Sequence, residues 1–331
     1  MKTTAMRVLG VGSPLLDLLA RVEEPFLEKV PGAKGGMELL APEVMDRLLE
    51  QLADEYAVVP GGAAGNTVFG LARLGVPVGM LGKTGKDAYG EIYRSSLVRL
   101  GGSESAFFET DQLPTGRCLA LITPDGERTM RTFFGASSDL TAEEVETVDF
   151  SAYDLVYIEG YQLFHQAMIE AVFRQAKAAG CRIGLDLASF EVVGLFRERL
   201  LELLKEYVDL VFANEDEATA LLGDKPAEQQ ARELARFCEI AAVKLGPRGS
   251  LIASGDMLCH VPADVVKAVD TTAAGDLWAS GFLFGYLHGR PLSECGRYAS
   301  MTAREVVQVV GSKIPEQRWE ALCRSFQPYN N

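Results

Sequence analysis

The sequence predicts an α/β protein, a mostly parallel central sheet flanked by helices, with a small β-sheet lid, in one domain spanning residues 1–331. Three observations predict it. Short apolar runs alternate with amphipathic segments almost throughout, as in a parallel sheet covered on both faces. Two stretches, about 15–40 and 104–134, break that rhythm with strand-like runs of their own. The chain has 331 residues, 48% of them hydrophobic, with no repeat, low-complexity tract or linker to divide it.

The elements follow in order. "RVLGVG" (7–12) is the first buried strand. "GVGSPL" at 10–15 begins like a dinucleotide fingerprint, but Leu15 stands where the third glycine belongs and Pro14 where the helix should open, so a Rossmann dehydrogenase is rejected. Residues 15–40 are expected in the lid. "PEVMDRLLEQLADE" (42–55), "AGNTVFGLARLG" (64–75), "KDAYGEIYRSSLVRLG" (86–101) and "QAMIEAVFRQAKAAG" (166–180) carry helical spacing, several ending on a glycine stop. "PVGMLG" (77–82), "DLVYIEG" (154–160), "RIGLDL" (182–187), "VDLVFAN" (208–214) and "IAAVKLG" (240–246) read as strands buried on both faces. In 104–134, "TPDGER" carries the Asp-Gly of a hairpin turn between alternating runs. An antiparallel edge of the main sheet is the alternative reading of the two lid stretches.

Charge narrows the function. Lys plus Arg total 32 against 46 Asp plus Glu, a net charge of -14 that repels polyanions and argues against nucleic acid as a partner. A nucleotide in a local pocket is still allowed, because a helix N-terminus and one or two cations suffice. Cys118, Cys181, Cys238, Cys259, Cys295 and Cys323 are scattered, with no C-x-x-C pair, and read as reduced thiols. His165, His260 and His288 have no metal-ligand spacing. No apolar run is long enough for a membrane helix, and "MKTTAMRVLGVGS" lacks a signal-peptide layout, so a cytoplasmic protein without a membrane partner is expected.

Five stretches carry chemistry. Asp17, inside the apolar "PLLDLLA", is costly to bury unless it accepts hydrogen bonds; it is either a cap or a clamp on vicinal hydroxyls. "PGGAAGNT" (60–67) places Gly61 and Gly62 for close backbone approach and Asn66 as donor and acceptor, or simply packs a helix tightly on the sheet. In "ANEDEATALLG" (213–223), Asn214 and Glu217 share one face of a first helical turn; they form an acidic helix cap or hold Mg²⁺ through water. "VKLGPRGSLI" (243–252) reads as a hairpin in which Gly246 and Gly249 free backbone amides for a phosphate beside Lys244. "DTTAAGD" (270–276) opens the long apolar helix "LWASGFLFGYL". Ala273, Ala274 and Gly275 are too small to cover their amides, so three free N–H groups form an anion hole, with Asp276 at its rim to take a proton from a hydroxyl.

"GGAAGNT", "NEDE", "VKLGPRGS" and "DTTAAGD", in this order, resemble the signatures of the ribokinase/PfkB family of carbohydrate and nucleoside kinases, from "GVGSPLLD" to "VVGSKIP" (309–315). "GSPLLD", "KGGMELL", "TPDGERTMRTFFGAS" and "IEGY" resemble its adenosine kinase branch, bacterial members above all. Ser13 stands where that branch often has Asn, which removes one amide from the implied sugar site. The resemblance implies the three-layer ribokinase-like fold and a kinase that transfers the γ-phosphoryl group of ATP, with Mg²⁺, to a nucleoside 5′-hydroxyl. It implies ATP over Asn214, Lys244, Gly246 and Gly249; ribose held by Ser13, Asp17, Gly61, Gly62 and Asn66; and Asp276 as base with the Ala274 and Gly275 amides on the phosphoryl group. It further implies Arg128 as a lid-side arginine on phosphate, Leu40 and Phe133 over the base, and a monovalent cation such as K⁺ near Asp270 and Thr272. A sugar kinase acting on ribose or fructose and a catalytically dead ligand sensor are the alternatives, as monomer or homodimer.

Overall fold

The computed structural model describes residues 5–326. Its first strands are β1 (Val8–Val11), β2 (Leu15–Arg21), β3 (Met37–Leu39), β4 (Ala57–Gly61), β5 (Val78–Gly85), β6 (Phe107–Thr110) and β7 (Gly116–Ile122). They are followed by β8 (Arg128–Phe133), β9 (Leu155–Glu159), β10 (Arg182–Asp186), β11 (Leu210–Asn214), β12 (Ile240–Lys244), β13 (Ser250–Ser254) and β14 (Met257–Val261). The main sheet runs β14-β13-β12-β11-β10-β9-β1-β5-β6. It is parallel from β12 to β6 and antiparallel in the β12–β13–β14 hairpins.

Both faces of this sheet are covered, and the strand residues divide between two cores with period two. Leu9, Val156, Ile158, Val211 and Ala213 pack under the Gln166–Ala178 and Phe190–Glu206 helices. Val8, Leu155, Tyr157, Leu210 and Phe212 face the Ala63–Arg73, Ala274–Leu287 and Leu292–Val306 helices. This double burial is why the strands read as unbroken apolar runs. The expected three-layer α/β architecture is the observed one.

A second sheet, ordered β3-β8-β7-β2-β4, stands apart from the first. Leu16, Leu18, Leu119 and Leu121 turn one face onto Met45, Leu48, Leu49 and Leu52 of the Pro42–Leu52 helix. That helix begins on Pro42, whose missing N–H costs nothing there. It stops earlier than expected because Ala53 and Asp54 take the left-handed conformation. The expected hairpin joins β7 to β8, with Gly126 at φ 85° and Thr123 closing on Glu127.

Two details correct the expected lid boundaries of 15–40 and 104–134. β6 pairs parallel to β5 and is the edge of the main sheet. Its Phe107 packs on Tyr93, with ring centroids 5.9 Å apart, which anchors it there. In its place β4 joins the second sheet, antiparallel to β2. β4 is an edge strand, where Pro60 removes no ladder hydrogen bond.

Candidate active site

The chain leaves β1 toward β5 and β6 on one side, then returns to β9 and builds outward on the other. The β1/β9 boundary is therefore a topological switch point, and ligands of open α/β sheets bind beyond the strand carboxyl ends at such a crevice. Ser13 follows β1; Glu159, Asp186, Asn214 and Lys244 end β9, β10, β11 and β12.

Beyond those ends begins the Ala274–Leu287 helix. Ala273, at φ 59°, makes the turn that feeds it. Of the three amides expected to be free, that of Ala274 is not: it donates to the Thr271 carbonyl at 3.2 Å, because the left-handed Ala273 folds the chain into a turn. The N–H groups of Ala273, Gly275 and Asp276 have no protein acceptor among the described residues. Lys244 Nζ would lie 3.1 Å from any Cβ on Gly275, so the missing side chain is what lets an ammonium approach these amides. Bare amides at a helix start beside a cation form an anion site.

Asp276 sits at its edge. Asn66 Nδ2 donates to Asp276 Oδ2 at 2.9 Å, and Thr67 Oγ1 donates to the Asp276 carbonyl at 3.0 Å, fixing two helices together. Burial pushes the Asp276 carboxyl up to about 7; Asp186 and Glu159 add to the rise, against Asn66 and Lys244. A carboxyl poised there accepts a proton efficiently near neutral pH.

Asp186 carries part of the site that the sequence reading missed. Lys244 Nζ meets Asp186 Oδ2 at 3.0 Å. Burial alone would lower the Lys244 ammonium, but Asp186 and Glu217 outweigh it and hold it raised. The only sequence signal was an aspartate closing an apolar strand, "GLDL". Asn214 and Glu217 do face one another, as a reciprocal helix cap. Asn214 donates its N–H and Nδ2 to Glu217 at 2.8 and 2.7 Å, and Glu217 returns its N–H to Asn214 Oδ1 at 2.8 Å. Both Glu217 oxygens are thereby used by the protein, and burial raises this carboxyl to about 7, Lys244 opposing. Asn214 is absorbed by the cap and does not line the cavity beside Lys244. Even so, Asp186, Glu217 and Asp276 all act on a single ammonium, Lys244. Among the described residues no three acidic, histidine or cysteine side chains converge as a metal cage, so Mg²⁺ would enter on the phosphates, with these carboxylates acting on its water shell.

A cavity of about 310 Å³ adjoins the anion site. Lys244, Gly246, Gly249 and Gly275 stand at one end, and Val265, Val266, Ala303 and Val307 give it apolar walls. Gly246 leaves open space, whereas Gly249, at φ 93°, serves the fold: a Cβ there would meet the Val261 carbonyl at 2.0 Å. The 263–268 stretch and the Leu292–Val306 helix carried no motif and were missed.

The second sheet supplies the opposite wall. Gly61 makes room for the protein's own Asp17, whose carboxyl lies 2.5 Å from where a Cβ would stand. Gly62, at φ 84°, approaches the Ser13 carbonyl, 2.1 Å from the same test position. These glycines admit neighbouring protein groups rather than leaving bare backbone. Asp17 is half-buried, and its carboxyl makes no side-chain hydrogen bond among the described residues. Burial raises it to about 7, with Arg128 opposing and Asp270 adding. Ser13 turns into a buried network: its N–H donates to Glu159 Oε1 at 2.8 Å, and Gln162 Nε2 donates to its Oγ at 3.0 Å. Glu159 also accepts from the Ala64 N–H at 2.8 Å. Glu159 and Gln162 were not foreseen, since their partners lie about 100 to 150 positions away in sequence.

Three expectations for the lid side are corrected. Arg128 Nη1 donates to Asp270 Oδ2 and Thr272 Oγ1, tying the second sheet to the 270–276 segment rather than standing free for phosphate. Asp270 also accepts from Thr272 N at 2.9 Å and Gly311 N at 2.6 Å. Burial would raise Asp270, but Arg128 and these amides hold it below the usual carboxylate range. A guanidinium thus occupies the position expected for K⁺. Leu40 and Phe133 pack against the cluster on the covered face of the second sheet, not over the cleft.

The buried carboxyls make one prediction. Asp17, Glu217 and Asp276 rise to about 7 from ordinary values of 3.8, 4.5 and 3.8. Folding therefore holds protons that the unfolded chain has lost; the stability gained is complete below about pH 4 and disappears as pH rises through about 7. Asp87 and Asp270, which are depressed, act only below that window. Calorimetry should find the melting temperature of the ligand-free protein falling between about pH 5 and about pH 8, and falling less in Asp276→Asn. A flat profile would contradict the burial of these groups.

A helix start with bare amides, a carboxyl beside it and a cavity on a doubly covered parallel sheet are the parts a kinase of small hydroxylated molecules needs. Residues 45–319 match the pfkB family of carbohydrate kinases, and the chain belongs to that family. It is a phosphotransferase with an alcohol acceptor, a nucleoside or sugar kinase, and the family uses ATP, generally with Mg²⁺. A crystal structure of adenosine kinase from Sinorhizobium meliloti superposes with a TM-score of 0.85 at 33% identity, covering 97% of this chain and 99% of that one. A probable sugar kinase from Rhizobium etli CFN 42 superposes at 0.86 and 32%, covering 98% and 99%. Adenosine kinase 1 of Arabidopsis thaliana is 25% identical over 334 residues, 94% of this chain and 96% of its own length. No described helix is long and apolar enough to cross a membrane.

Proposed function

We propose that the protein transfers the γ-phosphoryl group of ATP to the 5′-hydroxyl of a nucleoside, adenosine by preference. The observation that carries this reading is Asp17, a half-buried carboxyl without a hydrogen-bond partner among the described residues, set against Gly61 just before the helix whose Asn66 holds Asp276. Two carboxylate oxygens in such a place need two donors, and a ribose 2′,3′-diol supplies them. The end-to-end likeness to adenosine kinases supports the same choice. The likeness to a probable sugar kinase, together with Ser13 in place of the branch's usual Asn, keeps a sugar acceptor as the second reading.

In the proposed reaction Asp276 takes the 5′-hydroxyl proton while that oxygen bonds to the γ-phosphorus. The bridging bond to the β-phosphate breaks, leaving ADP and the nucleoside 5′-monophosphate. The Gly275 and Asp276 amides and Lys244 face the charge that develops on the transferring group. Bound Mg²⁺ supplies neutralisation of phosphate charge, and Asp186 and Glu217 would hold it through water. Asn66 keeps Asp276 oriented, and Arg128 ties the second sheet over the acceptor.

Ligand-induced stabilisation tests the acceptor without requiring turnover. Adenosine should raise the melting temperature at concentrations where ribose and fructose leave it unchanged; a larger shift with either sugar would favour the second reading. Glu217→Gln should raise the Mg²⁺ concentration needed for half-maximal rate more than it raises the acceptor KM. Superimposable magnesium titrations would leave Glu217 as a helix cap alone.

A further inference from the structure

A second cavity, of about 430 Å³, lies behind the Ala63–Arg73 helix and is larger than the nucleotide cavity. Ser13, Asp17, Gly61, Gly62 and Arg128 do not line it; of the residues assigned to the acceptor only Asn66 does, so the two sites adjoin at that residue. Its volume falls in the range of small-molecule sites. Phe69, Ile92 and Trp319, from three different helices, give it apolar lining, two of them aromatic.

Its charged lining runs against the rest of the molecule. The chain carries a net charge of -14, yet every charged residue lining this cavity is a cation: Arg73, Arg99 and Lys313. Arg73 pairs with Glu316. Among the described residues, Arg99 and Lys313 have no carboxylate within 4.0 Å, and Arg99 donates only to Ser96 Oγ, at 2.9 Å. Arg99 and Lys313 are exposed to solvent at this lining, and two cations without carboxylate partners beside apolar walls complement an anionic head on an aromatic body.

The cavity also reaches the chemistry. Asn66, Phe69, Gly70 and Arg73 recur at helical spacing along one face of the Ala63–Arg73 helix, and all four line it. Asn66, at one end of that stripe, donates to Asp276 Oδ2. A molecule packed along the stripe bears directly on the residue that orients the base.

We propose that this cavity is an effector site for a small aromatic anion, phosphate- or carboxylate-headed, whose binding changes phosphoryl transfer through Asn66. The effect on turnover rests on the kinase reading above; binding itself does not.

The chain has two tryptophans, Trp278 lining the nucleotide cavity and Trp319 lining this one, so Trp278→Phe leaves Trp319 as sole reporter. Phenyl phosphate, benzoate and neutral phenol are titrated into that variant by fluorescence. The same titrations are made by calorimetry on wild-type protein saturated with MgADP, in case the variant fails to fold. We expect one or both anions to bind with ADP in place, phenol not to bind, and Arg99→Ala combined with Lys313→Ala to weaken binding by at least about tenfold. The anion that binds identifies the head group. Its saturation should change kcat by about fivefold or more in wild-type enzyme and leave the double variant's kcat unaltered. No binding, displacement by MgADP, or binding indifferent to the double substitution would overturn the site. Binding without change in kcat would overturn the effector role. Binding to a protein that phosphorylates no acceptor would fault the kinase reading and leave the site standing.

Discussion

Asp276→Asn should keep the fold and nucleotide binding and lose about 10²- to 10⁴-fold in kcat. Asparagine retains the shape and the contact with Asn66 but cannot take a proton. The neighbouring amides and Lys244 remain, so residual transfer above the uncatalysed rate is expected. The pH dependence carries the same claim. Asp276 rises to about 7, so wild-type kcat/KM should fall as pH drops through that value, as the base becomes protonated. Asp17 titrates in the same range and steepens the fall in kcat/KM. Near wild-type turnover in Asp276→Asn would reduce Asp276 to a residue of the first helical turn.

The second large effect belongs to Asp17. Removing one hydroxyl of the diol leaves a buried, charged lone pair unsatisfied, which costs about 1–3 kcal/mol. 2′-Deoxyadenosine should therefore be worse than adenosine by at least about tenfold in kcat/KM. Asp17→Ala should erase most of that difference while severely damaging adenosine phosphorylation. Because Gly61 holds open the space under this carboxyl, Asp17→Ala leaves a void and no clash, and the protein should stay folded. Equal kcat/KM for the two nucleosides would mean that Asp17 does not clamp the diol.

What the sequence made legible follows from where the physics is local. β9, β10, β11 and β12 are buried on both faces, so each is an apolar run closed by one polar residue. The small residues of "DTTAAGD" likewise announce a helix start with uncovered amides; of the three expected, those of Ala273 and Gly275 have no acceptor among the described residues. The left-handed turn at Ala273 that ties up the Ala274 amide has no comparable signal, because alanine rarely adopts that conformation.

Pairing across long separations was not legible. An alternating stretch such as "FFET" fits an edge of either sheet, and only the packing of Phe107 on Tyr93 assigns β6 to the main one. Glu159 and Asp186 looked like ordinary strand ends, since their partners Ser13, Ala64 and Lys244 lie far along the chain. Asn214 and Glu217 fit a helix cap and a metal site equally well at their spacing. The observed bonds form the cap, and among the described residues no carboxylate cage stands there for a metal, so Mg²⁺ rests on the family and on the phosphates that would carry it. The same limit applies to Arg128, whose bonds to Asp270 and Thr272 span more than 140 positions.

The most direct test of the central claim is transfer from radiolabelled ATP with adenosine, ribose and fructose as separate acceptors, the product identified by phosphorus NMR. The account predicts that adenosine has the highest kcat/KM and that its product is the 5′-monophosphate. Faster transfer to ribose or fructose, or label on any adenosine hydroxyl other than the 5′, would contradict it.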